Sequence, residues 1–221
     1  MSECEFITSF LSELVTEKRL DRLEEVLTQR TRYIVVVLED IYQSQNASAV
    51  LRTCECFGVQ DVHIIENYNS YNINPMVLKG SDKWLNIHRY NRSDNNTAEA
   101  VHRLKSEGYR IVATSLCEDS IALNSFDVER GKCAVIFGNE HQGVSEYMME
   151  QADEYLKIPM WGFTQSLNIS VSAGIILSRL IEKLRNSNLC WQLTDPEKDI
   201  LRAQWLQSSV KVKIDELHYH R

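Results

Sequence analysis

Tyr33-Ile-Val-Val-Val-Leu38 is an unbroken run of one aromatic and five aliphatic residues, without a charge or a turn former. Such a run reads as a strand buried on both faces, the habit of a parallel sheet. Working outward, the first 30 residues read as helix. Phe10, Leu11, Leu14 and Val15, then Leu20, Leu23, Val26 and Leu27, recur at helical spacing, with acids and bases on the other face. Beyond the run, Asn46 to Phe57 reads as a helix that Gly58 closes, and Val62 to Ile65 as a second strand.

The pattern then repeats. Residues 67–96 are rich in Asn and Ser and read as loop around one short segment, Trp84 to Tyr90. Asn96-Thr-Ala-Glu99 resembles a capping box opening a helix to Glu107. Strands are predicted at Tyr109–Thr114, Ala134–Phe137 and Tyr155–Pro159, and helices at Ser145–Ala152, Leu167–Leu184 and Asp195–Gln207. Alternating strands and helices argue an α/β domain with a largely parallel sheet. Three segments are expected: a helical extension over 1–30, the α/β domain over 31–187 and a helical tail over 188–221.

The composition is that of an ordinary globular domain: 221 residues, 43% apolar and 25% charged. No apolar run approaches the ~20 residues of a membrane span, and the first residues lack a signal peptide's basic start and cleavage site. A cytoplasmic protein is expected. Six cysteines are too few for a disulfide framework in a chain of this length, and Cys54 and Cys56 are spaced poorly for zinc. Reduced thiols in or near the core are expected, with no metal. The net charge of −7 does not favour a nucleic-acid partner. The relatively basic part is the C-terminal tail, with Lys183, Arg185, Arg202, Lys211, Lys213 and Arg221. It reads either as a solvated amphipathic helix or as a phosphate-contacting surface.

The two best-known phosphate-cradling loops, G-x-G-x-x-G and G-x-x-x-x-G-K-[ST], are both missing. The turn after the first strand, Glu39-Asp-Ile-Tyr-Gln-Ser44, has no glycine, so a Rossmann-type cofactor site is not expected there. Thr114, Phe137-Gly138 and Ile158-Pro-Met160 stand where three other strands finish, the place where open α/β sheets bind ligands. Gly138 and Gly143 allow close backbone approach. Gly162-Phe-Thr-Gln-Ser-Leu-Asn-Ile-Ser-Val-Ser-Ala-Gly174 is a polar turn running into an apolar helix, with Ser166 as its expected N-cap and Asn168 in its first turn.

Three stretches, in order, resemble the signature motifs of the SpoU/TrmH-type RNA ribose 2′-O-methyltransferases. They are Asn46-x5-Arg52-Thr-x4-Gly58-Val, then Phe137-Gly-Asn-Glu140-x2-Gly143-Val-Ser145, then Ile158-Pro-Met160-x4-Gln165-Ser166-Leu167-Asn168-x-Ser170-Val171. Lys83-Trp84 after Gly80-Ser81 is also similar to a family element. The likeness spans residues 22 to 205 and is to the TrmH-type subgroup, which methylates a D-loop guanosine of tRNA.

The resemblance implies a SPOUT fold with a trefoil knot in the C-terminal half, a device that no pattern argument would produce. It implies a homodimer with the active site at the interface, and S-adenosylmethionine as methyl donor. By position, Thr114, Leu116, Ile136, Gly138, Ile158, Met160 and Leu167 would surround the donor. Arg52 matches the family's catalytic arginine. It is read here as a cation that grips the target phosphate, because a guanidinium is almost never deprotonated in proteins. Its bland alternative is a surface ion pair with Glu55. Asn46 would orient Arg52 or the ribose, Glu140 would hold Arg52 or Asn168, and Ser166 and Asn168 would fix substrate or donor. His141 reads as an exposed loop histidine, and His218 and His220 as residues without a ligand role. Ribosomal RNA is the alternative substrate. A non-catalytic RNA-binding protein on the same fold is the alternative function. Asp82, where relatives often carry histidine, and Gln43-Ser44-Gln45 depart from the family pattern and bear on which RNA is bound.

Overall fold

Ile34, Val36 and Leu38 lie in one apolar core, and Val35 and Val37 lie in another. The run that decides the fold thus divides residue by residue between the two faces of a sheet, as the period-2 geometry of a strand requires. The structure is a computed structural model that describes residues 3–72 and 74–210, with side chains from residue 8 onward. Lys211, Lys213, Arg221, His218, His220 and the side chain of Cys4 lie outside that description.

Residues 31–191 form one compact unit. Its strands are β1 (Ile34–Glu39), β2 (Asp61–Ile65), β3 (Asn86–Tyr90), β4 (Arg110–Thr114), β5 (Ile121–Ala122), β6 (Cys133–Phe137) and β7 (Glu154–Lys157). They form one sheet in the order β3-β2-β1-β6-β4-β7-β5, and every pairing is parallel. The ends of residues 1–30 and 192–210 form a second unit. In it α1 (Glu3–Ser12) and α2 (Glu17–Leu27) pack on α8 (Asp195–Ser209). The first 30 residues are therefore two helices rather than one, because Thr16 turns out of helical backbone and caps α2 by accepting from the Arg19 amide.

Between the strands lie α3 (Ser44–Phe57), α4 (Pro75–Leu78), α5 (Asn96–Ser106), α6 (Glu146–Gln151) and α7 (Ile169–Arg185). On one face, Val50, Leu51 and Cys54 of α3 pack with Ala173, Ile176, Leu177 and Leu180 of α7 against Ile34, Val36 and Leu38. On the other face, Ala100, Val101 and Leu104 of α5 and Met148 of α6 pack against Val35, Val37 and Ile136. Each Val, Leu, Ile or Met among them withdrawn from water contributes roughly 1.5–3 kcal/mol, and each Ala less. Of the described cysteines, all free, Cys54 and Cys133 are buried, Cys117 is half-buried, and Cys56 and Cys190 are exposed. The last two lie at the surface, not near the core as expected.

Two caps differ from expectation by a residue or two. Asn95, not Asn96, caps α5: its side chain accepts from the Ala98 amide, while the Asn96 amide group donates to the Glu66 carbonyl. Asn168, not Ser166, caps α7: its Oδ1 accepts from the Ser170 amide at 2.8 Å. An Asn at either place satisfies an orphan helix donor, and tertiary bonds decide which one does.

Candidate active site

Four strands that neighbour one another in the sheet, β1, β6, β4 and β7, deliver their carboxyl ends to one place. A cleft of about 690 Å³ opens there. Thr114 ends β4 and Ser115 and Leu116 follow it, Gly138 to Val144 follow β6, Lys157 ends β7 with Ile158 and Met160 beyond it, and Gln43 and Asn46 come from the start of α3. Ser166, Leu167, Asn168 and Ser172 close it from the entry to α7.

The turn after β1 organises this end of the sheet. Asp40 has a left-handed backbone (φ 54°), unusual for a residue other than glycine. Its Oδ1 accepts from the amides of Asn67, Tyr68 and Asn69 at 2.9, 2.8 and 3.0 Å, and its carbonyl accepts from Asn139 Nδ2 at 2.7 Å. Glu39, buried, accepts from Thr97 Oγ1, Ser145 Oγ and the Ser145 amide, and so ties α5 and α6 to β1. Neither acid stands out from its neighbours in the sequence. The signal available was the turn itself, which bends without a glycine.

Residues 138–143 form a closed turn. The Asn139 and Gly143 backbones pair both ways at 2.8 Å, and Asn139 Oδ1 accepts from the His141 amide. Gly143 takes a positive φ of 74°. Gly138 has no room for a side chain: a Cβ there would stand 2.2 Å from the Gly143 carbonyl carbon and the Val144 nitrogen.

This turn presents Glu140 to the N-terminus of α3. One Glu140 oxygen accepts from the Tyr42 amide at 2.9 Å, and the other from Asn46 Nδ2 at 2.8 Å and the Gln43 amide at 3.3 Å. Partial burial opposes ionisation of Glu140, but the bonds from Asn46 and from the Tyr42 and Gln43 amides outweigh it and hold the carboxyl below its ordinary range. Asn46 in turn accepts from Asn168 Nδ2 at 3.2 Å, and Asn168 Oδ1 accepts from Ser170 Oγ at 2.6 Å. One hydrogen-bonded chain therefore runs Glu140–Asn46–Asn168–Ser170 and joins all three motifs.

Arg52 stands apart from this chain. It is exposed on α3, does not line the cleft, and donates to the Val77 carbonyl at 3.3 Å. Glu140 therefore holds Asn46 and not Arg52 or Asn168 directly. Of the residues expected around the donor, Thr114, Leu116, Gly138, Ile158, Met160 and Leu167 line the cleft. Ile136 does not: its side chain is buried in the core on the α5–α6 face, and its carbonyl accepts from Thr114 Oγ1 at 2.8 Å. His141 lines the cleft, exposed, with its ring edge-on to Tyr42 at a centroid distance of 5.6 Å.

Residues 33–178 match the SpoU rRNA Methylase family. This chain belongs to that family. A family relative from Borreliella burgdorferi, a tRNA (guanosine(18)-2′-O)-methyltransferase, is 46% identical across 91% of this chain and 90% of its own. The crystal structure of the Aquifex aeolicus TrmH/SpoU tRNA modifying enzyme superposes with a TM-score of 0.78 at 33% identity, over 89% of this chain and 98% of that one. The SpoU methyltransferase AviRb from Streptomyces viridochromogenes, solved in complex with AdoMet, shares the fold at a TM-score of 0.57 and 20% identity, over 74% of this chain and 62% of that one. The seven-stranded parallel sheet is thus that of the SpoU/TrmH structures, as the motifs implied.

Proposed function

We propose that this protein transfers the methyl group of S-adenosylmethionine to a ribose 2′-hydroxyl of RNA, and that its substrate is a D-loop guanosine of tRNA. The observation that carries this reading is the Glu140–Asn46–Asn168 chain, which draws three separate motifs onto the wall of one cleft. The name of the Borreliella burgdorferi relative supports tRNA as the substrate.

The cleft fits such a donor. Its volume is within the range of small-molecule sites. At Gly138 the main chain packs directly on the Gly143–Val144 backbone, which shapes the tight turn that walls the cleft. Thr114, Leu116, Gly138, Ile158, Met160 and Leu167 would hold the donor there. When bound, it supplies a methyl group on a sulfonium, already activated toward an oxygen nucleophile.

The chain's own residues must then set the ribose oxygen in line with that methyl and manage its proton. Asn46, Ser166 and Asn168 would place the ribose and the donor, with Glu140 fixing Asn46. Arg52 would grip the phosphate beside the target ribose and stabilise the charge that develops on the oxygen.

A second copy of the chain completes the site in this reading. Leu116, Leu167, Val171 and Ile175 are exposed apolar side chains at the cleft and on the first turns of α7, and a homodimer would cover them. The C-terminal half would be threaded as a trefoil knot, and the protein would act in the cytoplasm. No described helix is long and apolar enough to cross a membrane.

The test is methyl transfer from labelled S-adenosylmethionine to total tRNA and, separately, to ribosomal RNA, with mass-spectrometric mapping. 2′-O-methylguanosine in the tRNA D-loop is expected. Label on ribosomal RNA alone would overturn the substrate, and no label on either would overturn the reading.

A further inference from the structure

The Asp40 carboxylate that gathers the amides of Asn67, Tyr68 and Asn69 fixes a turn that carries a tyrosine. The main chain of Tyr68 is pinned, yet its side chain packs on almost nothing: the residue is 91% exposed. Tyr42, two residues past Asp40, repeats the arrangement. Its amide donates to Glu140 at 2.9 Å, its ring meets His141 edge-on, and the residue is 60% exposed. Neither tyrosine lies within the three motifs. One exposed aromatic is ordinary for a soluble protein. A pinned main chain, however, aims the ring and lowers the ordering cost that a stacking partner must meet.

Asp40 also sets Tyr68 relative to the cleft. Its carbonyl accepts from Asn69 Nδ2 at 3.0 Å and from Asn139 Nδ2 at 2.7 Å, so the Tyr68 turn and the 138–143 turn hang on one oxygen. The strand that leads into Tyr68, β2, is two strands from β6, which is about 10 Å at the usual strand spacing. Past this turn the chain returns to α3, where Ser48 Oγ accepts from the Asn74 amide at 3.1 Å. It then reaches Val77, whose carbonyl takes Arg52, and the exposed Lys79.

The setting of Tyr68 tells nucleic acid from protein. Its exposed neighbours are Asn67, Ser70 and Asn72, with the cations Arg52 and Lys79 beyond. A second copy of the chain calls for a contiguous apolar patch, which Leu116, Leu167, Val171 and Ile175 supply elsewhere. A flat ring among amides and hydroxyls, with cations further on, suits unpaired nucleobases and their phosphates.

Resting on the methyl-transfer reading above, we infer that Tyr42 and Tyr68 are substrate-binding residues whose rings stack on unpaired bases of the RNA beside the target nucleotide. Stacking uses the π-face and not the hydroxyl, so it accepts any base. It adds affinity for an open loop over a paired stem, and leaves the choice of target nucleotide to the cleft.

The experiment titrates a tRNA transcript against the wild type, Tyr42→Ala, Tyr42→Phe, Tyr68→Ala and Tyr68→Phe. KM and kcat for tRNA, the donor's Kd, Tm and the sedimentation coefficient are measured alongside. Each Ala variant is expected to lose roughly tenfold or more in tRNA Kd and KM. Its Tm, donor Kd and oligomeric state should be kept, with kcat at saturating tRNA changed far less than KM. Each Phe variant should bind tRNA as the wild type does, because the π-face is retained. Ala variants with wild-type tRNA affinity overturn the inference, as do Phe variants as weak as the Ala ones, which place the contact on the hydroxyl. An altered oligomeric state in the Ala variants also overturns it and assigns the rings to a second copy. A wild type that transfers methyl to no RNA sinks the methyl-transfer reading itself, and so the two failures are distinguishable.

Discussion

Asn168 Nδ2 donates to Asn46 Oδ1 at 3.2 Å across 122 positions of sequence. The same Asn168 uses its Oδ1 to cap α7. One side chain thus starts a helix and links two motifs, and its two functions sit on different atoms.

Those functions separate by substitution. Asn168→Asp keeps the capping oxygen and loses the donor to Asn46, so stability should hold while methyl transfer falls at least tenfold. Asn168→Ala loses both and should cost about 0.5–2 kcal/mol of stability as well. Urea unfolding beside the methyl-transfer assay checks the pair. Equal activity in Asn168→Asp and wild type would remove the link from the mechanism.

Arg52 lies outside the cleft lining, so its replacement should leave the donor's Kd within about twofold. Arg52→Ala should nearly abolish turnover on RNA, on the order of 100-fold or more, as expected when a group that meets developing charge is lost. Calorimetry with S-adenosylmethionine and single-turnover kinetics measure the two. Near wild-type turnover would show that the arginine does not act on the substrate.

At Gly138 the contact is with backbone, which cannot swing aside. Gly138→Ala should displace the 138–143 turn and cost about 1–3 kcal/mol or more. Donor binding should weaken by at least tenfold, because the same turn walls the cleft. A variant with wild-type Tm and donor affinity would contradict the close approach.

His63, buried on β2, carries an imidazole that burial, with the neighbouring His88, drives down to about 3 from an ordinary 6.5. Its folded pKa is depressed, so the unfolded chain binds the extra proton first. Stability is full above about pH 6.5 and declines as pH falls from there toward 3, at up to ~1.4 kcal/mol per unit. His63→Gln should flatten the stability profile between pH 6.5 and 5. Urea midpoints at closely spaced pH values test this, and an unchanged slope would show that other groups carry the acid sensitivity.

Much of this molecule was legible in its sequence, for reasons that differ by element. The strand at 34–39 could be read because burial on both faces leaves an unbroken apolar run. The helix closed by Gly58 could be read because a left-handed residue, φ 78°, ends it. The two residues of β5 are too few to show any period. The caps at Asn95 and Asn168 were missed by a residue or two because a second capping residue stood nearby in each case, and the bonds that choose between them come from elsewhere in the fold. Glu39 and Asp40 looked like ordinary turn acids. Their partners are 27 to 106 positions away, and no local pattern reports them. The motifs named Asn46, Glu140 and Asn168 but not who holds whom.

The parallel sheet has a consequence for the order of synthesis. Parallel strands cannot be laid down by adjacent hairpins, and the cleft needs the ends of β1, β4, β6 and β7 together with the start of α7. A nascent chain has no complete cleft until Asn168 and the first turns of α7 have left the ribosome.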